Sequence, residues 1–173
     1  LDRLLDNIET SFTEQFNASL AQRVPIHAPV PSAYRATGHR VLFNSNSSLI
    51  DDTRRSLLPD DCHFIGPLVR REALAPSLSQ WTVRSIGRPQ VFVALGTFLS
   101  HRGDVLVKLA DGLRSLHVRA AIATGATDPA RIGPVPADWI VDRSLPQVAM
   151  LANADLIIHH GGNNSVQESL AAG

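Results

Sequence analysis

A nearly continuous apolar run, Gln90–Leu95 (QVFVAL), constrains the fold of this chain more than any other feature. A strand with one solvent-exposed face alternates apolar and polar residues, so this run predicts a strand buried on both faces of a parallel sheet. Val118–Ala123 repeats the pattern, and Trp139–Val141 and Asp155–His159 are shorter strand candidates. Apolar residues recur at helical spacing between them. Alternating strands and helices predict an α/β fold with a doubly wound parallel, Rossmann-like sheet.

The residues before Pro89 follow a different sequence pattern. An amphipathic helix opens this part of the chain, and short strands are predicted at Arg40–Asn44 and Cys62–Ile65. Prolines and glycines then mark a linker with one short helix around Ser77–Arg84. We therefore expect the end of one domain, a linker and a second domain, over residues 1–66, 67–88 and 89–173.

Composition argues against several functional classes. Sixteen Lys and Arg balance sixteen Asp and Glu, so we expect no basic surface for nucleic acid. The longest apolar runs are far shorter than the roughly 20 residues of a transmembrane helix. The single cysteine, Cys62, excludes an intramolecular disulfide framework and a cysteine-built zinc site. A cytoplasmic location is the resulting expectation.

The two chain ends suggest a fragment. The sequence opens without an initiator methionine and stops at Gly173, just beyond a helical stretch. A glycine at such a place usually closes a helix before the chain continues. We therefore expect this sequence to be part of a longer protein.

Two strand ends of the predicted sheet carry unusual residues, Leu95-Gly96-Thr97 and the run HHGGNNS that starts at His159. Ligands of open α/β sheets bind at such ends, beside helix N-termini, which favour anions. Glycines let a ligand approach the backbone, and the His160 imidazole can carry charge near neutral pH. Asn164 and Ser165 add side-chain donors. Together these features suit a phosphate or a diphosphate.

Simpler interpretations of the same residues exist. Ser165 and Glu168 have the spacing of a capping box, which needs no ligand, and Gly161-Gly162 can be a tight turn. The combination of histidine, glycines and polar residues at one turn favours the ligand site. A Gly-x-Gly-x-x-Gly sequence and a Walker loop are missing, so neither a standard dinucleotide site nor a P-loop is supported.

Two acidic pairs, Asp51-Asp52 and Asp60-Asp61, resemble metal ligands at first sight. Both lie in polar turns without a matching cluster of histidines or carboxylates. We interpret them as solvated caps and expect no metal site.

The late motif resembles the donor-binding signature of family 1 glycosyltransferases, the UDP-glycosyltransferase superfamily with the GT-B fold. The matching residues read His160-x-Gly162-x-Asn164-Ser165-x-x-Glu168, preceded by Leu145-Pro146-Gln147. Phe64–Leu68 (FIGPL) and Val93–Thr97 (VALGT) resemble the family's interdomain linker and the first strand of its C-terminal domain. The likeness covers the whole chain and is of the bacterial type found in antibiotic and macrolide biosynthesis.

The resemblance implies a role for each matching residue. The residues that would hold the donor diphosphate are Thr97, His160, Gly162, Asn164 and Ser165. Glu168 would bind the ribose hydroxyls, and Leu145 and Gln147 would lie near the base. Plant members stack a tryptophan on the base at the position of Ser144, so here Trp139 or another residue would have to replace it.

The resemblance also implies an activity. The family is inverting, needs no metal and no cofactor, and moves a sugar from a UDP- or dTDP-sugar to a hydroxyl of a small, hydrophobic, natural-product-like acceptor. Residues 1–66 would end the acceptor-side domain, and 89–173 would form most of the donor-binding domain. The family's catalytic histidine is expected upstream of this sequence and its sugar-binding acidic residue and glutamine downstream, so no catalytic residue is expected within it.

Other interpretations remain open at this point. A non-catalytic homologue that binds a nucleotide sugar and acts as a partner protein is the main alternative, and the presence of the upstream histidine would discriminate. A sugar-nucleotide epimerase or another type of GT-B transferase is expected to lack the late motif. A purely structural α/β domain is the simplest case.

Overall fold

The computed structural model describes residues 2–23, 29–33, 40–84 and 86–173, and the chain divides into two compact units. One unit contains residues up to 43 together with 47–65, and the other contains 44–46 and 66–173. None of the described helices is long and apolar enough to cross a membrane. The assignment of the units to an acceptor side and a donor side stays a prediction.

The described residues of the first unit form two α-helices, a short 3₁₀ helix (Ser47–Leu49) and a pair of short strands. Its elements are α1 (Asp2–Ala21), β1 (Val41–Phe43), α2 (Asp52–Arg55) and β2 (Cys62–Phe64). The strands pair in parallel, and the rings of Phe43 and Phe64 stack with centroids 5.1 Å apart. The Asp51 carboxylate accepts a 2.9 Å hydrogen bond from the Arg54 N–H at the start of α2. This acidic turn is therefore a helix cap, as predicted.

The second unit is built on a four-stranded sheet. Its strands are β3 (Gln90–Ala94), β4 (Arg119–Ala123), β5 (Ile140–Asp142) and β6 (Leu156–His159). Its helices are α3 (Gly96–Leu99), α4 (Gly103–Arg114), α5 (Gln147–Leu151) and α6 (Asn163–Ala172). The strand order is β5-β4-β3-β6 and every pair is parallel, which confirms the predicted fold class.

The central strand β3 is buried at every position and divides the core into two layers. Val91 and Val93 pack with Leu106 of α4 on one face, whereas Phe92 packs with Met150 of α5 on the other. The alternation follows from the strand period of two residues. Because helices cover both faces, the sheet is doubly wound, as the apolar run predicted.

The stretch before β3 is packed onto the sheet. The short helix predicted at Ser77–Arg84 is a 3₁₀ helix, Pro76–Thr82, and its Trp81 is fully buried. The Trp81 indole N–H donates to the Met150 carbonyl at 2.9 Å. The buried Arg119 guanidinium donates to the Gln90 side-chain oxygen at 2.7 Å and lies over the Trp81 ring. These contacts join this part of the predicted linker to the second unit.

A reversal of strand order positions the candidate site. From β3 the chain proceeds outward to β4 and β5 and then crosses back to β6, on the other side of β3. Ligands of open α/β sheets bind at the crevice that such a reversal opens at the carboxyl edge. Ala94 pairs with His159 at this edge, so Gly96 and His160 follow two adjacent strand ends.

The two-sided burial of β3 predicts a large loss of stability for the substitution Phe92→Ala. The Phe92 side chain is fully buried, so its truncation leaves a cavity and should lower the free energy of unfolding by about 3–5 kcal/mol. Leu156→Ala is the control, because Leu156 is 55% exposed on β6, and it should change that energy by about 0.5 kcal/mol or less. Urea-induced unfolding measures both, and equal losses would contradict the described core.

Candidate functional site

A cavity of about 630 Å³ lies at the crevice beside β3 and β6. This volume falls within the roughly 300–1,000 Å³ typical of ligand sites. The eight residues predicted to bind the donor all line it: Thr97, Leu145, Gln147, His160, Gly162, Asn164, Ser165 and Glu168. The structure therefore brings together residues from three separate stretches of the sequence, while their individual roles stay predictions.

The N-terminus of α6 faces this cavity. Gly162 is the N-cap residue, in an extended conformation, and no side chain caps the helix. The Val166 N–H donates to the Gly162 carbonyl at 3.0 Å, so the N–H groups of Asn163, Asn164 and Ser165 precede the first helical hydrogen bond. All three residues line the cavity. This end of α6 therefore offers backbone donors and a positive dipole end to an anion.

The capping-box interpretation of Ser165 and Glu168 is wrong. A capping box needs its serine at the N-cap, but Ser165 lies buried within the first turn of α6. The Glu168 carboxylate accepts a 2.6 Å hydrogen bond from the Gln147 side-chain amide, which also lies 3.3 Å from the Ser165 hydroxyl. Glu168 is thus directed to α5 and the cavity, because the glycine turn starts the helix earlier than the serine suggested.

The two adjacent histidines have different surroundings. His159 is half-buried, and its Nδ1 accepts a 3.0 Å hydrogen bond from the Gly161 N–H. His160 is exposed and lines the cavity, with its imidazole close to Gly96 and Gly162. Of the two histidines, His160 is the one that lines the cavity.

Sequence reasoning missed several residues that line the same cavity: Asn44, Leu68, Arg70 and Asn163. The Leu68 N–H donates to the Asn44 side-chain oxygen at 2.5 Å. Arg70 forms a 2.8 Å ion pair with Glu72, whose carboxylate also accepts a 2.9 Å hydrogen bond from the Val148 N–H of α5. No sequence signal links these distant segments, although Asn163 lies within the motif.

A second cavity of about 380 Å³ adjoins the first and shares four lining residues with it: Gly96, Thr97, Leu145 and Gln147. It continues over the ends of β4 and β5, where Ala123, Arg143 and Ser144 line it. Arg143 contributes a planar, charged group to this slot. It directly follows β5, so its place at a strand end was a usable signal that the sequence reasoning passed over.

Trp139 packs in the core, so it does not replace the stacking tryptophan that plant members carry at the position of Ser144. Trp139 is 6% exposed and donates its indole N–H to the Val118 carbonyl at 3.2 Å. It precedes β5 and therefore lies at the amino edge of the sheet, away from the crevice.

Within the described ranges, no group of three or more His, Cys, Asp or Glu residues could hold a metal ion.

No model of a known protein family matches the chain, but individual proteins do. The NDP-glycosyltransferase YjiC of Bacillus subtilis is 30% identical over 111 residues, which are 64% of this chain and 28% of that protein. The 4'-demethylrebeccamycin synthase of Lentzea aerocolonigenes is 30% identical over 122 residues, 69% of this chain and 28% of that protein.

Solved structures agree with these relatives. The glycosyltransferase SnogD from Streptomyces nogalater superposes with a TM-score of 0.56 at 27% identity, over 76% of this chain and 35% of that one. The calicheamicin glycosyltransferase CalG4 gives a TM-score of 0.61 over 92% of this chain and 39% of that one, and at 19% identity it shows the fold alone. The chain is homologous to GT-B glycosyltransferases. This glycosyltransferase homologue spans between 24% and 29% of the length of the curated relatives that it matches, and the resemblance read from its motif is confirmed.

The hydrogen bond between Gln147 and Glu168 predicts non-additive stability effects in this glycosyltransferase homologue. The interaction has a charged acceptor, so Gln147→Ala and Glu168→Ala should together cost less than the sum of their separate effects, by about 1–3 kcal/mol. Thermal unfolding of the single and double variants measures this coupling energy. Pairing Glu168→Ala with His117→Ala, at an exposed position outside the cavity lining, should give additive effects. Additivity of Gln147→Ala and Glu168→Ala would contradict the described contact.

Proposed function

We propose that the protein containing this chain is an inverting glycosyltransferase that moves a sugar from a UDP- or dTDP-sugar to a hydroxyl of a small natural-product-like acceptor. The observation that carries the proposal is the cavity that joins the α6 N-terminus, His160 and Glu168 at the switch in strand order. The names of matching proteins support the donor class, because they include a UDP-glucosyltransferase and an NDP-glycosyltransferase of Bacillus subtilis.

The diphosphate of the donor binds at the N-terminus of α6. The backbone N–H groups of residues 163–165 and the positive end of the helix dipole complement its charge. His160 and Asn164 add side chains at the same edge of the cavity. An anion at such a helix end gains roughly 0.3–1 kcal/mol, and about 2 kcal/mol where the site is partly buried.

The nucleoside lies along α5, on the side of the cavity away from the α6 N-terminus. Glu168, which already accepts a hydrogen bond from Gln147, then accepts from the ribose hydroxyls. The base enters the smaller cavity, beside Leu145 and Ser144. Its lining includes the Arg143 guanidinium, a planar cation of the kind that stacks on nucleobases in place of an aromatic ring.

The transfer follows from this arrangement. The acceptor oxygen attacks the anomeric carbon and loses its proton to a base elsewhere in the protein. The bond between that carbon and the diphosphate oxygen breaks, and the diphosphate leaves with the bonding electrons. Charge therefore grows on the oxygens held by the α6 N-terminus and His160, which lowers the barrier without a metal. Attack from the face opposite the leaving group inverts the anomeric centre.

Relatives with a defined product support a small, natural-product-like acceptor. One is the demethyllactenocin mycarosyltransferase of Streptomyces fradiae, and another is the 4'-demethylrebeccamycin synthase of Lentzea aerocolonigenes. The acceptor proposed for this protein belongs to the same broad class, a compact organic molecule with a free hydroxyl.

Binding of UDP or dTDP is expected without a divalent cation. The cavity offers the diphosphate backbone donors and the side chains of His160 and Arg70. Its described lining residues include one carboxylate, that of Glu168. Calorimetry with the complete protein, in the presence of a chelator and then with added Mg²⁺, measures the requirement. Equal affinities support the proposal, whereas binding that appears only with Mg²⁺ contradicts it.

His160→Ala and Glu168→Ala are expected to impair the reaction differently. His160 meets charge that grows in the transition state, so its loss should lower kcat by roughly 10²–10³-fold as well as donor affinity. Glu168 holds ribose hydroxyls equally in both states, so its loss should mainly raise the donor KM. Steady-state kinetics of the complete protein separates the two effects.

His117→Ala, at an exposed histidine outside the lining of the cavity, is the matched control for this comparison and should leave both constants unchanged. A normal kcat for His160→Ala would contradict the assignment of that residue. A wild-type protein that binds UDP without transferring sugar to any acceptor would instead favour the non-catalytic homologue.

A further inference from the structure

Gly96 and Gly162 both lie against the imidazole of His160. A Cβ built on Gly96 would fall 2.4 Å from His160 Cε1, and a Cβ on Gly162 would fall 2.6 Å from Nε2 and 2.7 Å from Cε1. Carbon atoms in contact normally lie about 3.5–4.0 Å apart. The ring edge that carries Cε1 and Nε2 therefore occupies the space that a side chain on either glycine would need.

We propose that Gly96 and Gly162 are positioning residues, which together form a seat that holds the His160 imidazole at the cavity. This inference rests on the proposed function for the role of His160, but the seat itself rests on the three-residue geometry. It gives Gly162 a different role from direct diphosphate binding, because the space beside its Cα is filled by the protein's own imidazole.

The two sides of the seat come from different elements. Gly96 opens α3 after β3, and Gly162 caps α6 after β6, so the switch in strand order brings both glycines next to one ring. The seat restricts the rotamers of an exposed side chain without a hydrogen bond to it. A histidine that is held before the ligand arrives loses less conformational freedom on binding, which favours affinity and transition-state contact.

Backbone conformation makes Gly162 the better test position. Gly96 has a φ of +68°, so any side chain there is strained whatever its neighbours. Gly162 has a φ of −61° and a ψ of 142°, which alanine adopts freely. The substitution Gly162→Ala therefore adds a methyl group whose one close neighbour is the His160 ring.

The experiment is a double-mutant cycle in the complete protein with Gly162→Ala, His160→Ala and the combined variant. Calorimetry with UDP as the probe should show that Gly162→Ala weakens binding about 10–100-fold, as far as His160→Ala does, because the methyl displaces the imidazole. In the His160→Ala background, the added Gly162→Ala should change the affinity by less than about twofold. Gly112→Ala is the control, because a Cβ built at this helical position has no atom of another segment within 4 Å. This variant should bind UDP like the wild type.

A second readout needs no ligand. Alanine at position 162 restricts the unfolded chain in both backgrounds, but with His160 present its methyl must also displace the imidazole. Gly162→Ala should therefore give a lower melting temperature relative to its parent in the wild-type background than in the His160→Ala background. If Gly162→Ala changes UDP affinity and melting temperature by the same amounts in both backgrounds, the seat is refuted. If the wild type does not bind UDP, the proposed function fails. The melting temperatures of the single and combined variants then test the seat by themselves.

Discussion

The parallel pairing of β3 with both β4 and β6 is the constraint on which the rest of the second unit depends. A strand paired on both edges and covered on both faces contributes its whole length to the core, and β3 is buried throughout. Parallel neighbours must be joined by crossovers, which place α4 and α5 on opposite faces. The same pairing aligns the carboxyl ends of β3 and β6, where the cavity lies. Stability and site geometry therefore have one origin.

The elements that could best be predicted from the sequence are those whose burial is visible in the type of residue they contain. A strand buried on both faces leaves a nearly continuous apolar run, so β3 and the parallel α/β class follow from the residues alone. Glycines and polar residues beside predicted strand ends likewise indicated the cavity. The start of α6 was less certain, because a serine followed three residues later by a glutamate satisfies the capping pattern wherever the helix begins. The backbone conformation of Gly162 decides that question.

Contacts between distant segments of the chain could not be predicted from local sequence patterns. Asn44 and Arg70 line the cavity although they lie far apart in the sequence, and neither residue belongs to a motif. Arg70 is held by Glu72, which also accepts a hydrogen bond from the first turn of α5. Trp139 and Arg143 flank the same strand, but Trp139 precedes β5 and Arg143 follows it, so the two residues lie at opposite edges of the sheet.

The packing of one imidazole against two glycines also restricts how such a chain can change over time. A side chain gained at position 162 collides with His160, so that step is unfavourable while the histidine is present. If residue 160 is first replaced by a smaller one, the same step becomes neutral. The two positions are thus coupled in a fixed order of substitution, and related sequences should vary at them jointly. Position 96 is restricted more strongly, since its positive φ still favours glycine after the ring is gone.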